Sequence, residues 1–318
     1  MRFGSPSLAT ALALALVPAF NALCGERGEA AVYVASQDGG ALTEVDGAAE
    51  PAPVAVGAGP AGVAAGPDGT LYLTHPDRST STVVAAGGAR VLRSLPFPGQ
   101  PFGIAVSGDG AQLFVGDWQG ARLVRINAAT GAVESELTVG PEPAGLVRDS
   151  AGRIYVAERG GNAVAVVDGA TMTRLARVPV GRAPFALGLS ADGSRLYVGN
   201  VRSNDLTAID TAALTAVATR PAGRSPYGVA VHGKQILVTN QESSTVSVLN
   251  PDLTVVATIP VGRYPEGIAV EGARAYVANW VSDDVSVIDL AQMREVARRK
   301  VPGGPRAAVA LPTTGSAR

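Results

Sequence analysis

The sequence has few of the residues that carry common enzymatic and cofactor chemistry. Its 318 residues include one cysteine and two histidines. No haem-attachment motif, nucleophile elbow, phosphate-binding loop or paired-histidine helix motif occurs. A soft-metal or multi-histidine centre would therefore have almost no ligands. We assign no catalytic residue, no metal site and no cofactor.

Charge and aromatic residues are also scarce. Charged residues make up 17% of the chain, with 26 basic and 27 acidic side chains and a net charge of −1. Proteins that bind nucleic acid by neutralising phosphates show a basic excess or patch. Aromatic residues make up 5% of the chain, which leaves little for stacking on bases. We therefore expect no nucleic-acid partner.

Glycine and hydrophobic residues are abundant. The chain has 39 glycines and 22 prolines, and 47% of its residues are hydrophobic. Glycine and proline together stay below the ~25–30% that is typical of low-complexity chains. This composition predicts a turn-rich folded protein with a large core.

The N-terminus has the layout of a secretory signal peptide. Arg2 precedes an apolar run over residues 8–17, and Pro18 follows it. The run is shorter than the ~20 residues that span a bilayer, so we predict no transmembrane segment. Cleavage after Ala30 fits better than a lipoprotein site at Cys24. We expect a periplasmic or secreted protein with a signal peptide at 1–30, one domain at 31–312 and a disordered tail at 313–318.

Two sequence registers repeat seven times along the rest of the chain. In the first, an aromatic residue or leucine precedes valine or leucine at intervals of 39 to 42 residues. Periods of about 40–45 residues are typical of propeller blades. The pairs begin at Tyr33, Tyr72, Phe114, Tyr155, Tyr197, Leu237 and Tyr276. The second register begins at Pro60, Pro101, Pro143, Pro184, Pro226, Pro265 and Pro305.

Each repeat contains the pattern of four short strands. The first is rich in glycine and alanine, as expected where blades converge on a central axis, and Asp-Gly turns at 68–69, 109–110 and 192–193 predict hairpins. We predict an all-β protein, a seven-bladed β-propeller of four-stranded antiparallel blades. Because the chain starts in the second strand of a unit, residues 305–311 should complete that blade and close the ring without exposed edges.

Four segments resemble the repeat of the YVTN-family β-propellers, over about residues 31–311. They are Leu-Val-Thr-Asn at 237–240, Tyr-Val-Ala-Asn at 276–279, Val-Ser-Val-Ile-Asp at 285–289 and Ile-Pro-Val-Gly at 259–262. The resemblance implies a bacterial exported propeller. Similar propellers occur in surface proteins and in electron-transfer enzymes, and lactonases are more distant, so the fold leaves the function open.

Strand geometry predicts that two sets of polar residues meet at one mouth of the channel. Arg182, Arg224 and Arg263 each stand two residues before a repeat proline. The other set occupies the slot that follows the Tyr-Val pair, with His75, Asp117 and Glu158 on three consecutive units and Ser36, Asn200, Asn240 and Asn279 on the rest.

Two interpretations of these residues stay open. In the first, asparagines cap loops and the arginines are solvated consensus residues. In the second, the arginines form an anion-attracting arc opposite an acidic half. Trp118 and Trp280 follow their slot residues directly, and each either fills a loop or marks a binding surface.

Three functions follow from these patterns. The first is a non-catalytic, monomeric binding or scaffold protein whose channel-mouth loops bind a protein partner or a small anionic ligand. The second is an accessory propeller for a periplasmic quinoprotein or cytochrome system. The third is a metal-dependent lactonase-like hydrolase, with His75, Asp117 and Glu158 or the ring asparagines as ligands for a Ca²⁺-like ion.

Overall fold

A computed structural model describes residues 31–46, 52–88 and 90–311. The predicted signal peptide at 1–30, with Cys24, and the predicted tail at 313–318 lie outside the described residues. Within the described ranges, none of the helical segments has the length and hydrophobicity of a membrane span.

The described chain forms seven antiparallel sheets of four strands each. Innermost strands of successive sheets pack against one another, and the last packs against the first. The predicted seven-bladed β-propeller is thus confirmed. Its strands are β1 Val32–Ser36, β2 Ala41–Glu44, β3 Val54–Ala55, β4 Gly62–Ala65, β5 Leu71–His75, β6 Thr80–Val84, β7 Val91–Pro96, β8 Pro101–Val106, β9 Gln112–Asp117, β10 Arg122–Asn127, β11 Val133–Thr138, β12 Pro143–Arg148, β13 Arg153–Glu158, β14 Ala163–Asp168, β15 Thr173–Pro179, β16 Pro184–Leu189, β17 Arg195–Asn200, β18 Asp205–Asp210, β19 Thr215–Pro221, β20 Pro226–His232, β21 Gln235–Asn240, β22 Thr245–Leu249, β23 Val255–Pro260, β24 Pro265–Glu271, β25 Arg274–Asn279, β26 Asp284–Asp289, β27 Arg294–Lys300 and β28 Pro305–Ala310.

Short 3-10 helices interrupt some of the loops. They are Pro76–Arg78, Ala86–Gly88, Arg159–Gly161, Gln241–Ser243 and Trp280–Ser282. Four of the five follow directly after the second strand of a blade, at the end of the molecule where the inner strands begin.

Blade 1 is composite and closes the ring. It consists of β28 followed by β1, β2 and β3, and blades 2 to 7 take their strands in chain order from β4 to β27. Strand β28 pairs antiparallel with β1, from Val32 opposite Ala310 to Ser36 opposite Pro305. The predicted closure is therefore confirmed, and β28 covers the edge that β1 would otherwise expose.

Crowding at the axis explains the small residues of the inner strands. A Cβ atom on Gly103 would lie 1.9 Å from the carbonyl oxygen of Ala144 in the next blade. A Cβ atom on Gly228 would lie 2.2 Å from the carbonyl oxygen of Glu266. Both distances are far too short for a carbon atom beside a carbonyl oxygen. Only glycine therefore allows the backbones of neighbouring inner strands to lie this close together.

The core lies between the blades. The two middle strands of each blade are covered on both faces, so β14 reads Ala-Val-Ala-Val-Val and is buried along all five of these residues. Such continuous apolar runs are expected where a sheet is covered on both sides. The outermost strands are largely exposed, as in β19.

Candidate functional site

The residue after each repeat proline stands at one end of the channel, which we call the channel mouth. These seven residues all line the channel, one from each blade. Five of them are large or polar, in a register that otherwise carries small residues. They are Ala61, Phe102, Ala144, Phe185, Tyr227, Glu266 and Arg306.

Four of these side chains meet across the channel and form what we call the mouth cluster: Phe102, Phe185, Tyr227 and Arg306. The ring centroids of Phe102 and Phe185 are 5.7 Å apart, and those of Phe185 and Tyr227 are 4.0 Å apart. Arg306 Nη2 donates to the Tyr227 hydroxyl at 2.8 Å. The Arg306 guanidinium carbon lies 5.4 Å from the Phe102 ring centroid. The contacts thus form a closed circle of side chains from four blades.

Small residues make this circle possible. Phe102 and Phe185 belong to blades 3 and 5, and Ala144 of blade 4 stands between them. Arg306 and Phe102 belong to blades 1 and 3, with Ala61 of blade 2 between them. Because alanine occupies little space, the large side chains reach one another over the intervening blade.

Arg306 is the polar centre of the mouth. Its side chain is 15% exposed, and its Nε lies 3.4 Å from Glu266 Oε2. It also donates through Nη1 to Gln37 Oε1, and through Nη2 to Tyr227. Strand β28 therefore closes the ring, and it also carries Arg306, the only cation among the seven residues after the prolines.

Glu266 is a buried carboxyl group beside Arg306. It is 1% exposed, and its Oε1 accepts a hydrogen bond from Gln241 Nε2 at 2.7 Å. Burial raises the pKa of Glu266 to about 7, although Arg306 and the Gln241 hydrogen bond act in the opposite direction. Burial also raises the pKa of Tyr227, and the neighbouring Glu266 charge adds to this shift.

Trp118 and Trp280 form a second layer around the mouth cluster. The Trp118 ring lies 4.6 Å from Phe102, and the Trp280 ring lies 5.6 Å from the Arg306 guanidinium carbon. Trp280 also donates through Nε1 to Asp38 at 3.3 Å. Both tryptophans are half-buried, so they lie beside the mouth cluster and are still open to solvent.

The three predicted arginines lie at the outer rim of the same end. Arg182, Arg224 and Arg263 are exposed and belong to blades 5, 6 and 7. Each contacts the loop after the second strand of its own blade: Arg182 donates to the Arg202 carbonyl at 3.1 Å, Arg224 to Glu242 at 3.0 Å and Arg263 to the Val281 carbonyl at 3.3 Å.

His75, Asp117 and Glu158 are buried, each within its own blade. His75 Nδ1 donates to the Ala58 carbonyl oxygen at 2.9 Å, and burial lowers the pKa of this imidazole. Asp117 accepts from Arg122 Nε at 2.8 Å, and Glu158 accepts from Arg177 Nε at 2.6 Å.

The structure does not bring these three residues together. In the described part of the chain, no three His, Cys, Asp or Glu side chains form a group that could hold a metal ion. The asparagines in the same slot also bond within their own blades: Asn279 Nδ2 donates to Asp284 and to Ser286, both at 2.9 Å. The residues of this slot therefore bond within one blade, to its third strand or, for Glu158, to its fourth.

Neither the mouth cluster nor Glu266 is among the residues predicted from the sequence. The sequence nevertheless contains an indication of them. The position after each repeat proline is the one that varies in a register of small residues. A phenylalanine, tyrosine, glutamate or arginine at that position lines the channel. That placement becomes informative once the seven positions are treated as one ring.

A second cavity lies at the same end, between blades 2 and 3. Its volume is about 590 Å³, and its lining includes Asp77, Gln100, Gln119 and Arg122. It does not include any residue of the mouth cluster and its lining is mainly polar or glycine and proline.

Solved structures with the same fold come from proteins of different kinds. Hydrazine synthase from Kuenenia stuttgartiensis is 22% identical, with a TM-score of 0.70, and the match covers 78% of this chain and 88% of that chain. A functionally unknown protein from Desulfotomaculum acetoxidans is 14% identical, with a TM-score of 0.76 and coverage of 88% and 98%.

Virginiamycin B lyase from Staphylococcus aureus is 14% identical, with a TM-score of 0.65, and the match covers 80% of this chain and 93% of that chain. No family model matches the chain, and no curated protein matches it. At these identities the likeness shows the fold, a seven-bladed β-propeller, and leaves the function to be argued from the site.

Proposed function

We propose that the protein is a non-catalytic binding propeller that holds a small anionic ligand at its channel mouth. The observation that carries this proposal is the mouth cluster, in which three partly exposed aromatic rings and one guanidinium group from four blades converge on one point. A concave, mostly apolar site with a few convergent polar groups is the usual form of a small-molecule site.

The rim charges support an anionic ligand. Arg182, Arg224 and Arg263 lie exposed on three consecutive blades around the mouth. Positive charges arranged at the entrance of a low-dielectric cleft raise the local concentration of anions and their rate of association. The repeat resemblance and the predicted signal peptide support an exported, YVTN-type propeller as the setting for this site.

Isothermal titration with a panel of small anions tests the proposal. The triple variant Arg182→Ala, Arg224→Ala, Arg263→Ala should weaken binding several-fold, and by less at high salt, because screening shortens the reach of exposed charges. A matched control replaces Arg148, Arg195 and Arg274 by alanine, since these arginines stand at the opposite ends of the strands.

Two results would count against the proposal. One is equal weakening by the rim and control variants, which would indicate a nonspecific charge effect. The other is an absence of saturable binding for every anion in the panel.

A second candidate is docking on a periplasmic redox enzyme. It is supported by the resemblance to electron-transfer propellers and by hydrazine synthase, an enzyme, among the proteins of similar fold. Affinity purification of the tagged protein from its native source should then co-purify a haem or quinone chromophore in stoichiometric amount. A colourless preparation without a redox partner would remove this candidate.

A further inference from the structure

The size of the channel limits the ligand to a small molecule. The cavity that begins at the mouth cluster has a volume of about 200 Å³. Pockets for drug-sized ligands are larger, about 300–1,000 Å³, and an apolar cavity of about 150 Å³ accommodates benzene. The channel therefore has room for a single substituted ring.

The walls of the channel favour an apolar ring. Below the mouth cluster the inner strands contribute aliphatic side chains, among them Ile104, Leu146, Leu187 and Ile268. At the mouth, Phe102, Phe185 and Tyr227 are partly exposed, so their ring surfaces are available to a ligand. Aromatic rings pack well against one another in offset or edge-to-face arrangements.

Arg306 favours a negatively charged ligand over a positively charged one. A guanidinium group has five N–H donors. One on Nη1 donates to Gln37 and one on Nη2 donates to Tyr227, while Nε lies 3.4 Å from Glu266 Oε2 in an ion pair. Two N–H groups remain for an acceptor. The place beside the aromatic rings that a cationic ligand would take is already filled by Arg306, which lies against Phe102 and Trp280.

The acidic neighbours of Arg306 do not close the site to an anion. Glu266 Oε1 accepts a hydrogen bond from Gln241, and Oε2, which accepts none, lies 3.4 Å from Arg306 Nε in an ion pair. Its pKa of about 7, raised by burial, means that this carboxyl is partly protonated at neutral pH. Asp38 accepts a hydrogen bond from Trp280. Arg159, over the Trp118 ring, is paired with Glu142.

We infer that the channel mouth binds single-ring aromatic carboxylates, with the ring against Phe102 and Phe185 and the carboxylate on Arg306. The inference rests on the proposed function and names its ligand class. Planar carboxylates suit arginine because two parallel N–H groups can donate to the two oxygens.

Titration of the full chain with four matched probes tests the ligand class. Benzoate carries both the ring and the charge, cyclohexanecarboxylate lacks aromaticity, benzamide lacks charge, and benzylamine has the opposite charge. We expect one benzoate per chain, bound about tenfold or more tightly than benzamide and benzylamine, since a charge-assisted hydrogen bond contributes on that order. Cyclohexanecarboxylate keeps the charge and loses the aromatic packing, so it should bind about threefold to tenfold more weakly than benzoate. Ligand-detected NMR should also show upfield ring-current shifts of the benzoate protons.

Two variants locate the site. Arg306→Gln should weaken benzoate binding by about tenfold or more, and Phe185→Leu should weaken it by about threefold to tenfold, while Arg195→Gln at the opposite end leaves it unchanged. Circular dichroism establishes that each variant is folded, and the NMR shifts in the unaltered protein test the site even if a variant does not fold.

Several outcomes would overturn the ligand class. They are equal affinity for benzoate and cyclohexanecarboxylate, preference for benzylamine, benzoate binding that Arg306→Gln does not change, and no saturable benzoate binding. If another small anion still binds and the rim arginine variant weakens it, the proposed function stands and the ligand class alone is wrong.

Discussion

Glu266 has the chemistry of a buried acid whose charged form is disfavoured. Burial raises its pKa from 4.5 to about 7. Between these two values the folded protein binds more protons than the unfolded chain, so the free energy of unfolding falls as pH rises. The stabilising contribution is fully present below pH 4.5 and is lost as pH rises through about 7.

Glu266→Gln should remove this pH dependence. At about 1.4 kcal/mol per pKa unit, the wild-type protein loses on the order of 3 kcal/mol at most between pH 5 and pH 8. The variant should therefore gain in stability relative to wild type at pH 8 and not at pH 5, as measured by urea unfolding. Glu242→Gln, an exposed glutamate at the same end, is the control. An equal difference between Glu266→Gln and wild type at both pH values would contradict the assignment.

Gly103 tests the crowding of the inner strands. A Cβ atom there would lie 1.9 Å from the backbone carbonyl oxygen of Ala144, and overpacking of this kind costs about 1–3 kcal/mol or more. Gly103→Ala should therefore lower the free energy of unfolding by about 3 kcal/mol. Gly272→Ala meets no atom within 4 Å and should cost only about 1 kcal/mol, because its φ is +53°. If both substitutions lower the free energy of unfolding equally, the inner strands can move apart to accommodate the added methyl group.

Sequence patterns identified the outer residues of the site better than its centre. The prolines and the Tyr-Val pairs predicted which end Trp118 and Arg263 occupy, because position in the repeat determines the end of the strand. The place of Arg306 in the ring can be derived from the repeat, but its contacts cannot. Its role depends on contacts with Phe102 and Tyr227 across the channel, on which a linear pattern carries no information.

At the scale of the element, the slot after the second strand ties neighbouring strands of one blade together. Asn240 donates to Thr245 and Ser247 of β22, and Asn279 donates to Asp284 and Ser286 of β26. His75 occupies the same slot and lies 2.9 Å from Thr82 of β6. The sequence suggested that polar residues in this slot could act across blades, whereas they bond within their own blade, to the third strand or, for Glu158, to Arg177 of the fourth strand.

Asn279→Ala should destabilise the fold by about 1–3 kcal/mol, since it removes two buried hydrogen bonds and leaves their partners unsatisfied. Asn250→Ala, at an exposed turn, should change the free energy of unfolding by less than about 0.5 kcal/mol. Urea unfolding of both variants measures the difference. Equal effects would mean that the slot does not tie the strands.

At the scale of the whole molecule, stability depends on the composite blade. Val32 and Val34 of β1 are fully buried, and β28 pairs with this strand along its length. The sevenfold registers predicted both the ring and its closure, because seven prolines and seven pairs leave one unit that only the two chain ends can complete. The fold could be predicted because its unit recurs seven times in the sequence. The contacts of the site occur once and could not be predicted in this way.

Truncation after Gly304 should remove the closing strand and lower the free energy of unfolding by several kcal/mol. Each buried valine that loses its cover costs about 1.5–3 kcal/mol. Truncation after Leu311 retains β28 and should leave the urea midpoint unchanged. If the two truncated proteins unfold at the same midpoint, ring closure by β28 does not contribute to stability.

The position of a bound ligand tests the central claim most directly. A crystal structure of the full protein grown with benzoate should show electron density for the ring against Phe102 and Phe185, with its carboxylate within hydrogen-bonding distance of Arg306. Density in the cavity lined by Asp77 and Arg122, or an unoccupied channel mouth at saturating benzoate, would contradict the assignment of this ligand to the mouth cluster.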